Sequence, residues 1–275
     1  MNAQVDRPIG MFDSGFGGLT VARAVIDLLP SENLVYIGDT ARYPYGPKPA
    51  SDVRSFAIEL ATSLVRDFNV KLIVVACNTA ASVALSELQS LLSVPVIGVV
   101  EPGARALVRE TKNNRVAVIG TAGTIASGAY ENAVANASRE TTSEVILTAT
   151  ACPGFVEFVE RDETSGEAVT ELAQKLLAPI RKADVDALLL GCTHYPYLSA
   201  VIGQVMGSGV KLINSADATA LVVRDALATN KIARSVDSGE RGSHEFYSSG
   251  DIKQFAEIGR RFLGRELSVA KQWPK

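Results

Sequence analysis

Val70-Lys71-Leu72-Ile73-Val74-Val75-Ala76-Cys77-Asn78-Thr79 is an apolar run that ends in a cysteine and small polar residues. Val185-Asp186-Ala187-Leu188-Leu189-Leu190-Gly191-Cys192-Thr193-His194 repeats the pattern, and in both copies the cysteine stands seven residues after the leading valine. Continuous β-branched and leucine runs of this length read as strands buried on both faces of a parallel sheet. A cysteine just past such a strand lies at the carboxyl end of the sheet, where open α/β proteins bind ligands. The sequence thus builds one thiol site twice.

The surrounding chain reads the same way. Pro8–Phe12 is a first strand, followed by Asp13-Ser14-Gly15-Phe16-Gly17-Gly18 and a helical pattern at Leu19, Ala22, Val25, Ile26 and Leu29. Leu34–Gly38 is a strand before Asp39, and Arg42–Pro49 is a proline- and glycine-dense shaped loop. A helix is expected over Ser51–Phe68 with Ser51 as N-cap, and another over about Ala80–Leu92. Pro95–Val100 is a strand, and Glu101-Pro102-Gly103 marks a domain boundary. Strand Arg115–Gly120, strand Val145–Thr150 and the second cysteine strand repeat the opening order, and Val210–Ser215 echoes Val94–Val100. An internal duplication is the economical reading. Lys231–Glu240 reads as polar loop, His244–Gly250 as a late strand and Asp251–Leu263 as a closing helix.

At 275 residues, 47% of them hydrophobic and 21% charged, the chain is expected to be globular and soluble. A net charge of −3 gives no reason to expect nucleic acid or an anionic membrane as partner. No apolar run reaches the length of a membrane span, and Met1–Arg7 lacks the core of a signal peptide, so the cytoplasm is expected. The three cysteines, Cys77, Cys152 and Cys192, do not make a disulfide framework.

A cysteine at a helix start has its thiolate favoured by backbone N–H groups and the helix dipole. Two such thiols facing one cavity suit the inversion of a stereocentre, which needs a base on one face and an acid on the other. The alternatives are inert buried cysteines and a zinc site, for which no CxxC spacing exists. His194 is placed to assist Cys192, and Asp13 to assist Cys77 unless it caps the following helix. Glu160 is either an assisting acid or a solvated helix residue. Gly15-Phe16-Gly17-Gly18 with Asp39 is a partial dinucleotide fingerprint whose third glycine position is Thr20. The same glycines would let a small anion approach backbone N–H groups, with Asn78, Thr79, Thr121 and Thr193 as further donors.

Asp13–Thr20, Tyr43-Pro44-Tyr45-Gly46, Cys77-Asn78-Thr79-Ala80, Cys152–Val156 through Glu160, Gly191–Pro196 and Phe246–Asp251 resemble, in this order, the motifs of the glutamate racemases. The resemblance implies a cofactor-independent isomerase that makes D-glutamate for peptidoglycan. By analogy Cys77 and Cys192 are the proton-transfer thiols, with Asp13 assisting the first and His194 and Glu160 the second. Asp13, Ser14, Pro44, Tyr45, Gly46, Asn78, Thr79, Thr121, Thr193 and His194 match positions that hold the substrate. The implied fold is two pseudo-symmetric α/β domains with mainly parallel sheets and the active site between them. The first is expected to span 1–99 plus 211–275, the second 100–210. Glutamate is the expected partner, no metal is expected, and a homodimer is the base-rate expectation. Glu157 departs from the family, which is usually apolar or proline there, and competes with Glu160 as the assisting acid. A racemase for aspartate or a non-catalytic binding protein of the same fold are the rival readings.

Overall fold

The structure is a computed structural model and describes residues 4–141, 144–234, 240–267 and 269–274. Its first unit runs β1 (Ile9–Asp13), α1 (Leu19–Leu28), β2 (Leu34–Gly38), α2 (Ala50–Phe68), β3 (Leu72–Val75), α3 (Asn78–Leu91) and β4 (Val96–Gly98). α4 (Val100–Glu110) leads to the second unit: β5 (Arg115–Gly120), α5 (Ala122–Ala126), α6 (Ala129–Thr141), β6 (Ile146–Ala151), α7 (Phe155–Glu160), α8 (Glu167–Lys182), β7 (Ala187–Gly191), α9 (Ser199–Met206) and β8 (Lys211–Asn214). α10 (Ser215–Thr229), β9 (His244–Ser248), α11 (Ile252–Leu263) and β10 (Ala270–Gln272) complete the chain.

Two parallel sheets result, ordered β10-β9-β2-β1-β3-β4 and β6-β5-β7-β8. Matching β1–β4 to β5–β8 makes the strand order of the second sheet identical to that of the inner part of the first, so the repeat read from the sequence is present in the topology. The cysteine strands are interior in both sheets and wholly buried. That burial explains their unbroken apolar character, since helices cover both faces of a parallel sheet. Each fully buried Leu, Ile or Val contributes on the order of 1.5–3 kcal/mol.

Several expectations are corrected. Lys211–Asn214 does not return to the first domain; it pairs in register with β7 as the edge of the second sheet, and the chain leaves at α10. α10 packs on α1 and α4, joining the two units. Glu101-Pro102-Gly103, expected at a domain boundary, forms the first turn of α4, the helix between the two sheets, where a proline is tolerated because its missing N–H has no helical partner to lose. α2 starts one residue earlier than expected, so Ser51 lies inside the first turn and Pro49 occupies the N-cap position. α3 begins at Asn78, immediately after Cys77. β10 was not legible in the sequence. The polar loop expected over Lys231–Glu240 lies in part, 235–239, outside the described residues.

Lys71 interrupts the decisive apolar run yet is 1% exposed. Its ammonium donates to Glu32 Oε2 at 2.5 Å and to the Val5 carbonyl at 2.6 Å, while Glu32 Oε1 accepts from the Arg234 amide at 2.7 Å. A charge taken out of water needs such partners. Here they tie the N-terminal segment, the first sheet and the returning chain together.

Candidate active site

Strand ends from both sheets converge on one cavity of about 130 Å³. From the first unit come Ser14, Cys77, Asn78 and Thr79, with Tyr43, Pro44, Tyr45 and Gly46 on the loop after β2. From the second come Thr121, Cys152, Glu157, Cys192, Thr193 and His194. Every residue expected from the sequence to hold substrate lines this space except Asp13, which stands behind Cys77. Glu160 stands behind His194. No Lys or Arg is among the lining residues, so anionic groups would rest on hydroxyls and amides.

Cys77 is the N-cap of α3, its Sγ accepting from the Ala80 amide at 3.5 Å, and it lies 3.7 Å from Ser14 Oγ. The helix start does not lower its pKa as expected. Burial, and then the Asp13 carboxylate, push the thiol up to about 12 against the smaller opposing pull of the Ala80 and Ser14 contacts. Cys77 therefore rests as the neutral thiol. Asp13 does not cap α1, which starts beyond the glycines with Gly18 at its N-cap. Its Oδ2 accepts from the Gly15 amide at 3.1 Å, and its buried Oδ1 has no hydrogen-bond partner among the described residues.

From the second unit, Cys192 Sγ lies 3.9 Å from His194 Nδ1, and His194 Nε2 lies 3.5 Å from Glu160 Oε1. The second distance is that of an ion pair, not of an aligned hydrogen bond. Burial alone would lower the His194 pKa, but Cys192 and Glu160 on its two nitrogens outweigh it and raise the imidazole to about 10. His194 is therefore an imidazolium near neutral pH. Glu160 is the acid beside His194, whereas Glu157 is exposed at the cavity wall, which separates the two carboxylates the sequence left as rivals.

The glycine loop brings the halves together. A Cβ on Gly17 would stand 2.2 Å from Thr193 Oγ1 and 2.4 Å from His194 Nδ1, and one on Gly18 2.5 Å from the Asp13 Cβ. These glycines admit close approach of protein to protein, not of a pyrophosphate. Asp39, the acidic residue of the partial fingerprint, is 0% exposed and is held by Arg42, Tyr45 and Ser249. The dinucleotide reading fails on both counts. Further contacts cross the cleft: Asn78 Nδ2 donates to Tyr130 Oη at 2.7 Å, and the hydroxyls of Thr79, Thr121 and Thr124 form a triangle of 2.9–3.1 Å.

Residues 19–223 match the family described as Asp/Glu/Hydantoin racemase. The chain belongs to this racemase family. Among its members, a protein of Parafrankia sp. named glutamate racemase is 48% identical over 97% of this chain and 94% of its own length. The solved structure of a glutamate racemase isoform from Bacillus anthracis is 40% identical with a TM-score of 0.89, covering 97% of each chain. A glutamate racemase from Francisella tularensis, solved in complex with D-glutamate, is 32% identical with a TM-score of 0.89 over 98% of each chain.

As a member of the racemase family the chain has wall residues that sequence reasoning left unassigned. Tyr43 lines the cavity, and burial followed by the Glu160 carboxylate pushes its phenol far up. Cys152 lines it as well, its thiol raised to about 12 by burial and then by Cys192. Its place after β6 matches that of Asp39 after β2, a signal the repeat itself carries. Tyr45 is present as expected, but its hydroxyl turns away to Asp39, so it offers the cavity its ring and backbone only. Among the described residues no group of three or more His, Cys, Asp and Glu is placed to hold a metal ion.

Proposed function

We propose that the protein is a glutamate racemase that inverts the α-carbon by proton transfer between Cys77 and Cys192. One observation carries this reading: the two thiols follow equivalent strands of two equivalent units and line one small cavity, one thiol from each unit. The relatives named glutamate racemase, alike over nearly their whole length, support glutamate as substrate.

In one direction a thiolate Sγ takes the α-proton and becomes a thiol. The electron pair left on the α-carbon spreads into the α-carboxylate. The opposite thiol then gives its proton to the other face and becomes a thiolate, so charge and protons balance. Asp13 holds and relays the proton of Cys77, and the His194–Glu160 pair that of Cys192. The charge developing on the carboxylate is met by hydroxyl and amide donors of Ser14, Asn78, Thr79, Thr121 and Thr193, fixed by their strand and helix ends before the reaction begins. The substrate's α-ammonium brings a positive charge beside Cys77, whose wall carries none, and so favours the thiolate there.

We further place the protein in the cytoplasm as a homodimer supplying D-glutamate for peptidoglycan. Free thiols in the catalytic roles fit a reducing compartment, and no helix among the described residues is long and apolar enough to cross a membrane. The homodimer rests on the prevalence of two-fold assemblies.

Protein dialysed against a chelator and freed of pyridoxal phosphate is expected to abolish the circular dichroism of L-glutamate and of D-glutamate, each decaying to zero. Decay with aspartate alone would move the substrate assignment. Silence with both amino acids would overturn the racemase reading.

A further inference from the structure

The C-terminal return of the chain reaches the cavity wall without entering the cavity. Ser249, directly after β9, is 8% exposed. Its hydroxyl donates to Asp39 Oδ1 at 2.6 Å and accepts from the Ala41 amide at 3.0 Å. Beside it Ser248 Oγ lies 2.6 Å from Thr40 Oγ1, which accepts from the Gly250 amide at 3.1 Å. Trp273, just past β10, donates its backbone N–H to the Ser248 carbonyl at 2.8 Å and its indole N–H to Ser63 Oγ at 2.9 Å.

Asp39 passes this hold to the substrate loop. Its Oδ2 accepts from Arg42 Nε at 2.6 Å and from the Tyr45 hydroxyl. The Arg42 guanidinium is pinned between Asp39 and Glu59 and lies 4.3 Å from the centre of the Phe56 ring. One residue beyond Tyr45, the Gly46 carbonyl accepts from the Gly123 amide of the second unit at 3.0 Å. A Cβ on Gly46 would stand 2.9 Å from Thr121. The loop thus spans from the C-terminal segment to the start of α5 in the second unit, and Pro44, Tyr45 and Gly46 line the cavity. A buried carboxylate that satisfies two side-chain donors of the loop, Arg42 and Tyr45, and one of the C-terminal segment, Ser249, ties the loop to that segment, because each donor would lose a partner if the loop moved.

We infer that Ser249 is a positioning residue for substrate binding: acting through Asp39, it locks the Tyr43–Gly46 wall of the cleft in its substrate-holding shape. The substrate named here rests on the glutamate racemase reading. The locking of the loop does not.

The test compares wild type with Ser249→Ala and Ser249→Thr. Losing a hydrogen bond to a charged group is expected to raise KM for both glutamate enantiomers about tenfold. kcat is expected to fall less than about threefold, because the thiols and their partners stay in place. Ser249→Thr keeps the hydroxyl and is expected to restore KM. Amide hydrogen exchange over residues 39–47 is expected to quicken in Ser249→Ala, with β1 and β3 unchanged. A lower Tm with KM and loop exchange both at wild-type values would overturn the inference and leave Ser249 a packing residue. If the wild type does not racemise glutamate, the function reading falls while loop exchange alone decides the lock: quickening upholds it and no change ends it.

Discussion

Replacing Cys77 or Cys192 by alanine is expected to cut racemisation of glutamate about 10³-fold or more in both directions, since each removes one of two proton-transfer groups and such a group typically contributes 10²–10⁴-fold. The two losses differ in what survives. Each variant keeps one thiol on one face of the α-carbon, so each is expected to exchange the α-hydrogen of a single enantiomer with solvent, and the two variants to exchange opposite ones. Cys77 has a second duty that must be separated from the first. Its Sγ caps α3, and alanine leaves the Ala80 amide without that partner, which costs on the order of 1 kcal/mol. Cys77→Ser keeps a favoured cap and removes the thiol. Loss of turnover in Cys77→Ser at wild-type Tm assigns the effect to proton transfer. Turnover above about a tenth of wild type in either alanine variant would contradict the role, because no general acid–base group of this kind is that dispensable.

His194→Asn is expected to lower turnover by about 10²-fold and to change how the protein responds to alkali. The sign follows from the folded-state pKa of about 10 against an ordinary value of 6.5. A group whose pKa is raised on folding stabilises the native state fully below its unfolded value and loses that contribution as pH rises through the folded one. Wild-type stability is therefore expected to fall between about pH 7 and 10, with a slope of up to about 1.4 kcal/mol per pH unit. Cys77 adds a fall of the same sign, but only between its ordinary value of 9.0 and about 12. Denaturant titrations between about pH 7 and 9 isolate the histidine, and His194→Asn is expected to flatten the curve there. Glu160→Gln removes one of the two groups that raise the imidazole and should move the fall to lower pH. An unchanged wild-type slope in His194→Asn would mean that the imidazole is not held protonated by Cys192 and Glu160.

How far the sequence disclosed this arrangement depended on how local each signal was. Leu72–Val75 and Ala187–Gly191 were legible because a strand covered on both faces has no polar position to obscure it. The thiols were legible because both copies of that pattern end the same way. The three residues of β10, Ala-Lys-Gln, are half to fully exposed and carry no periodicity; only pairing with β9 makes them a strand. The allegiance of Lys211–Asn214 was hidden for the same reason, since an edge strand's partner is a long-range fact. Asp13 looked like a cap because the glycine loop that delays the start of α1 to Leu19 has no helical signature of its own. The pKa of Cys77 ran opposite to the helix-start argument because desolvation and a nearby carboxylate, both set by tertiary packing, outweigh the weak contacts from Ala80 and Ser14 to sulfur. Glu160 and Glu157, three residues apart on one short helix, became distinguishable only once α7 was docked against His194.

Proton transfer between two thiols is tested most directly by the fate of the α-hydrogen. L-Glutamate is turned over in D2O, stopped after a few per cent conversion, and the two enantiomers are separated and weighed by mass spectrometry. The D-glutamate formed is expected to carry deuterium at the α-carbon, because the second thiol delivers a solvent-derived nucleus, while the recovered L-glutamate stays protiated. The converse run from D-glutamate should give the mirror result. Product that keeps its original α-hydrogen would mean that one group both removes and returns the proton, and would contradict the two-thiol account.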